Sequence, residues 1–217
     1  KTKYKVNENE LLNIGLIKIN GKIYDYNKLP EGLTIKRDLD LENTNIKSLP
    51  DNLTIKGGLS LLNTNISELP DNLKVSGDLY LQNTNIEELP DNLKVDSSLF
   101  LTNTNISSLP DNLEVGGLNL GNTNISSLPD NLKIEGSLAL SNTNILSLPD
   151  NLEVGGGLYL VNTNIKSLPN NLKISGGLYL ANTPLSKKYT EKEIEQIIKD
   201  KGGRFNKNFS REKTVIL

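Results

Sequence analysis

Leu69-Pro70-Asp71-Asn72-Leu73-Lys74-Val75-Ser76-Gly77-Asp78-Leu79-Tyr80-Leu81-Gln82-Asn83-Thr84-Asn85-Ile86-Glu87-Glu88 is followed at once by Leu89-Pro90-Asp91-Asn92-Leu93, the same phrase beginning again. The Leu-Pro pair recurs at Leu29, Leu49, Leu69, Leu89, Leu109, Leu128, Leu148 and Leu168, with one shorter copy between Leu109 and Leu128. A fixed period of about twenty residues is the mark of a solenoid. A unit this small cannot bury its own apolar side, so the copies must stack on one another.

Within the quoted copy the apolar residues are Leu69, Leu73, Val75, Leu79, Leu81 and Ile86. Leu73-Lys74-Val75 and Leu79-Tyr80-Leu81 both alternate, and alternation is the signature of a strand with one buried face. Each copy is therefore expected to carry two short strands, each pairing in parallel with its equivalent in the next copy. Tyr80 then points away from Leu79 and Leu81. Ser76-Gly77 reads as the bend between the strands, with glycine expected to supply backbone angles that other residues avoid. Pro70 opens the coil and offers no ladder hydrogen bond.

The run Leu79-Tyr80-Leu81-Gln82-Asn83-Thr84-Asn85-Ile86 resembles the core of leucine-rich repeats, with Thr84 at the position usually held by Asn or Cys. The twenty-residue length and the Leu-Pro corner resemble the short bacterial class found in effector ubiquitin ligases, and the Asn-Thr-x-Ile style is similar to small arrays in bacterial and phage proteins. The resemblance covers about three quarters of the chain and repeats eight times. It implies a mainly β solenoid whose parallel strands line a concave face; it does not imply a function, which resides in a site and not in a fold. In that family the inward Asn bonds the backbone of adjacent coils. Thr84 and its equivalents Thr44, Thr64, Thr104, Thr123, Thr143, Thr163 and Thr183 are expected to do part of that work, since a hydroxyl donates once and accepts twice. Flanking asparagines such as Asn83 and Asn85 supply the rest as amide ladders. A lattice-binding surface of the ice-binding kind is disfavoured because Thr84 points inward.

The array spans residues 29–187, with caps at 1–28 and 188–217. Asn7-Glu8-Asn9-Glu10 has the form of a capping box before Leu11, Leu12 and Ile14, with Gly15 to close a short helix. Asn20-Gly21 between Leu16–Ile19 and Lys22–Tyr26 reads as a hairpin turn. At the other end, Thr190-Glu191-Lys192-Glu193 opens a helix with Ile194, Ile197 and Ile198 on one side, stopped by Gly202-Gly203 and followed by a β-prone Thr214–Leu217.

Composition excludes several classes. The formal net charge is −2, so the electrostatic footprint of a nucleic-acid binder is missing. Neither Cys nor His occurs, which removes thiolate nucleophiles, imidazole bases and the usual zinc sites. The effector ligases act through a catalytic Cys, so that activity is argued against, and no enzyme, metal or cofactor is expected. No apolar run reaches membrane-spanning length, and Lys1 to Glu10 carry no signal-peptide core. The expectation is a cytoplasmic chain.

Function is sought where the copies differ. The outward residue of the Leu-x-Leu strand runs Asp40, Ser60, Tyr80, Phe100, Asn119, Ala139, Tyr159, Tyr179, and the position two earlier begins with Asp38. Asp38, Asp40 and Glu42 make the first copy acidic; a solvated acidic surface is favoured over a metal site. Tyr80/Phe100 and Tyr159/Tyr179 bracket a small saddle at Asn119 and Ala139. Aromatics with exposed polar tips are common interface anchors; the alternative is that they simply stack along the sheet. The leading expectation is a non-catalytic module that binds a protein partner through Asp38, Asp40, Tyr80, Phe100, Asn119, Ala139, Tyr159 and Tyr179, with a bacterial or phage inhibitor as one version. The recognition part of a larger effector enzyme and a small-ligand binder remain open beside it.

Overall fold

The computed structural model describes residues 7–130, 132–200 and 209–210. Eight pairs of short parallel strands form a mainly β solenoid of about seven turns. The first strand of each pair runs from Thr34–Ile35 through Thr54–Ile55 to Lys173–Ile174, and the second from Leu39–Asp40 to Leu178–Tyr179. In the middle of the array the two merge into continuous strands, Lys94–Phe100 and Glu114–Asn119. The core is the stack of aliphatic rungs: Leu73, Val75, Leu79, Leu81 and Ile86 are all 1% exposed or less. Tyr80, between two such leucines, is half-buried on the opposite side.

The shorter copy loses its residue at the bend. Val115 pairs with Val95 and Gly117 with Ser98, so Gly116 alone stands where the preceding coil has Asp96-Ser97. Both strands keep their register on either side, because a one-residue slip within a strand would turn its leucines outward.

Two expectations about local chemistry are corrected. The threonines are buried, but each Oγ1 donates to the Leu carbonyl three residues earlier in its own coil, at 2.7–2.8 Å (Thr84 to Leu81, for example). They close a turn within one coil and do not bridge coils. A hydroxyl is too short to reach the next backbone when the turn carbonyl lies nearer. The bend glycines do not take left-handed angles either; among the described residues positive φ at glycine is confined to Gly15, Gly21 and Gly32. They are glycine because coils approach too closely for a side chain: a Cβ on Gly77 would lie 2.7 Å from the Gly58 nitrogen, and one on Gly176 2.6 Å from the Gly156 carbonyl carbon.

Asparagine carries the unusual angles instead. Asn43, Asn63, Asn83, Asn103, Asn122, Asn142, Asn162 and Asn182 all have φ between +56° and +60°. Asn tolerates this region because its short amide bonds locally. The same amides form a ladder, Asn83 Nδ2 donating to Asn63 Oδ1 at 2.7 Å and Asn103 to Asn83 at 2.8 Å. A second ladder joins Asn52, Asn72 and Asn92 in the Pro-Asp-Asn turn. Asn85 works through its backbone, its N–H reaching the Ile66 carbonyl of the previous coil at 3.0 Å.

The ends are covered by side chains. The N-terminal helix spans Glu8–Asn13, and the hairpin pairs Leu16–Ile19 with Lys22–Asp25 around Asn20 and Gly21, both at positive φ. Where later coils have an Ile carbonyl, the first coil meets the Tyr26 hydroxyl, which accepts from the Asn45 N–H at 3.4 Å. Asn27 accepts from Lys47 N–H, and Asn20 donates to the Thr34 carbonyl. At the far end Thr183 caps a short helix, Pro184–Lys188. A second helix, Glu191–Asp200, opens on the expected capping box, with Glu193 Oε2 accepting from Thr190 N–H at 2.6 Å. Its Ile194 and Ile198 are buried against the last coil. Phe209–Ser210 adds a parallel strand beside Leu178–Tyr179. The expected Gly202-Gly203 stop and the Thr214–Leu217 strand lie outside the described residues. Among the described residues no helix is long and apolar enough to cross a membrane.

Asn83→Gly should cost about 1–3 kcal/mol through the two lost ladder bonds, to Asn63 and from Asn103, and Asn83→Ala about 1–2 kcal/mol more because alanine resists positive φ. Urea denaturation midpoints in the order wild type, Gly, Ala would bear this out; equal midpoints for Gly and Ala would refute it. Gly77→Ala should destabilise by about 1–3 kcal/mol through backbone overpacking, read as a lower melting temperature with unchanged circular dichroism at low temperature.

Candidate binding surface on the Leu-x-Leu sheet

Parallel pairing places Asp40, Ser60, Tyr80, Phe100, Asn119, Ala139, Tyr159 and Tyr179 in one row, one residue per strand. Neighbouring strands lie about 4.8 Å apart, so the row runs about 34 Å over seven intervals. Asp38 lies beside it, two residues before Asp40.

The aromatic residues stack. The Tyr80 and Phe100 rings are 4.9 Å apart and 4° from parallel, and the Tyr159 and Tyr179 rings 4.4 Å apart and 3° from parallel. Each pair leaves one flank half-exposed and spends the other on its neighbour. Tyr159 also leans back over Gly157, where a Cβ would sit 3.0 Å from its ring. Burial raises the Tyr159 hydroxyl pKa, helped by the charge and hydrogen bonding of Tyr179.

Between the pairs the surface sinks. Asn119 and Ala139 are 8% and 7% exposed, and the Asn119 Oδ1 is already taken by the Gly121 N–H at 3.0 Å. Asn119 therefore shapes the saddle without offering that oxygen to a ligand. Ala139 offers only a methyl floor.

At the N-terminal end Asp38, Asp40, Asp78 and Tyr80 border an open groove of about 490 Å³, floored by Gly57, Gly58 and Gly77. Asp38 Oδ1 accepts from the Gly58 N–H at 2.7 Å, and Asp40 Oδ1 from Glu42 N–H at 3.0 Å. Asp78 is the most heavily bonded of the three and was not among the residues singled out by outward position. It accepts from Ser97 Oγ at 2.5 Å, Ser98 N–H at 2.9 Å and the Tyr80 hydroxyl at 3.0 Å. Burial pushes its carboxyl up, but these three donors outweigh that and hold it below its usual range. Tyr80 is pushed up by burial first, then by its bond to Asp78 and the charges of Asp78 and Asp38. The signal for Asp78 in the sequence is its place two residues before the outward row, the same place as Asp38: both carboxylates accept from the backbone N–H of the equivalent residue one coil later, Gly58 for Asp38 and Ser98 for Asp78.

A second crevice, about 320 Å³, adjoins the first on the hairpin side; Asp38 and Asp40 border it too, with Ile17, Ile19 and Leu39 and the cations Lys18 and Arg37. Among the described residues no group of three or more Asp or Glu side chains is arranged to hold a metal ion. No protein-family model matches the chain, and no curated protein is detectably related to it.

Asp78 has a depressed folded-state pKa, so its contribution is present above the unfolded value near 4 and disappears as pH falls through the lower folded value. The melting-temperature gap between wild type and Asp78→Asn should therefore be widest above about pH 4 and narrow below it. A gap that stays constant to the lowest pH at which both fold would show that the ionised carboxylate contributes nothing.

Proposed function

We propose that this chain is a leucine-rich-repeat-type, non-catalytic module that recognises a protein partner across the Leu-x-Leu sheet. The twenty-residue coil, the Leu-x-Leu rungs and the asparagine ladders support the repeat class. One observation carries the binding reading: along a scaffold whose buried positions barely change, the outward row is varied and holds two pre-stacked aromatic pairs. Rings already fixed by stacking lose little side-chain freedom when a partner arrives. Their half-exposed flanks offer apolar area with phenolic hydroxyls at the edge, the chemistry that dominates protein-interface hot spots. The sheet behind them is held by backbone ladders and does not need to reorganise.

Capture from a lysate of the source cells compares wild type, Tyr80→Ala/Phe100→Ala/Tyr159→Ala, and Leu146→Ser as a control. Leu146 is an exposed apolar residue away from the row, 62% accessible. The triple variant should retain at least tenfold less of the captured protein, by quantitative mass spectrometry, while the control matches wild type. Equal capture by wild type and triple variant, both melting cooperatively, would overturn the reading.

A further inference from the structure

The charges on this face are one-sided. Three outward rows can be read along the array, at positions equivalent to Asp38, Asp40 and Glu42. The chain has 24 Lys and Arg against 26 Asp and Glu, yet these rows contain four acids, Asp38, Asp40, Glu42 and Asp78, and no Lys or Arg. All four acids lie in the first three coils. The remaining five coils are uncharged along these rows and contain Phe100 and the Tyr159/Tyr179 stack. These three rows thus carry no cation, and the four acids on them sit at one end. The nearest cations, Lys18 and Arg37, line the hairpin-side crevice that Asp38 and Asp40 also border, and Arg37 Nη2 donates to the Lys18 carbonyl there.

The acids are also set as acceptors. Asp38 and Asp40 each use Oδ1 on a backbone N–H, which fixes the carboxylate, and among the described residues no hydrogen bond reaches either Oδ2. No described Lys or Arg forms an ion pair with Asp38, Asp40 or Asp78. Tyr80 stands beside them with its ring fixed against Phe100, a wall over which a guanidinium can lie.

Resting on the reading of this sheet as a partner-binding face, we infer that its occupant is an extended protein segment of about ten residues, with Lys or Arg at one end and uncharged apolar side chains at the other. The basic end sits in the groove of Asp38, Asp40 and Asp78 against Tyr80, and the apolar end on Tyr159 and Tyr179. The length follows from the span of the row, about 34 Å at about 3.4 Å per extended residue. The orientation follows from the charge, because the reversed segment would put its cations on an uncharged aromatic surface and leave the carboxylates unanswered.

A random ten-residue peptide display library selected on the full chain tests this. Enriched peptides should hold Lys or Arg in one half and apolar residues in the other. Synthetic copies should bind Asp38→Asn/Asp40→Asn at least tenfold more weakly than wild type, and weaken similarly between 0.05 and 0.5 M salt, on the order expected for exposed charge pairs. Asn keeps the Oδ1 acceptor, and unchanged melting of the variant confirms that it folds. Peptides without basic enrichment, or affinities unmoved by the Asn changes, overturn the inference. If those peptides still lose binding to Tyr159→Ala/Tyr179→Ala, the sheet remains a docking face and only the basic-segment assignment falls. Failure to enrich any peptide also overturns it, as does spermine or a second copy of the chain proving to be the only species that binds the acidic groove.

Discussion

Backbone hydrogen bonds between successive coils are the interaction on which the rest of the molecule depends. A two-residue strand such as Leu79–Tyr80 has no stability of its own; it is held between the Leu59–Ser60 and Leu99–Phe100 strands, the Tyr80 carbonyl accepting from the Leu61 N–H of the preceding coil at 2.9 Å. This makes the chain quasi-one-dimensional, each coil stabilised by two neighbours. It also explains the care taken at the ends, where Tyr26, Asn20 and Asn27 answer groups that a missing coil would have answered.

Close stacking then dictates residue types at positions that contribute nothing to the aliphatic core. Backbones that meet at the bend exclude a Cβ at Gly57, Gly77 and Gly176. Where a Ser takes this place, at Ser97, its hydroxyl is bonded to Asp78. Turns that must present a carbonyl to Thr and an amide to the next coil take positive φ, and asparagine serves both the angle and the ladder. The shortened coil shows the hierarchy: the bend gives up a residue, and the rungs on each side stay in register.

The same stacking gives the outward row its properties. Side chains one coil apart are held at about 4.8 Å, close to the separation at which flat rings stack, so adjacent aromatics at Tyr80/Phe100 and Tyr159/Tyr179 pair without further design. Stacking along the sheet and service as an anchor are compatible, since the pairing fixes the rings and leaves their outer flanks half-exposed. The small residues between the pairs give relief, and the acids at one end give it direction.

The sequence by itself determined the solenoid, the two-strand coil, the inward rungs, the outward row and the helical C-terminal cap. The array features are written as local patterns repeated eight times, and repetition turns a weak local signal into a strong one; the cap is written once, in its capping box and the Ile194 and Ile198 spacing. What only the tertiary structure decided concerns contacts between coils. That Gly77 is required by a neighbour's backbone and not by its own φ, that Asn83 joins a ladder from Asn63 to Asn103, and that Asp78 gathers donors from Ser97 and Ser98 depend on atoms about twenty residues away in sequence and one strand away in space; that Thr84 serves its own coil depends on which carbonyl the folded turn brings nearest. A period announces that coils stack; the distance at which they do so, and therefore which side chains fit between them, is set by the folded backbone.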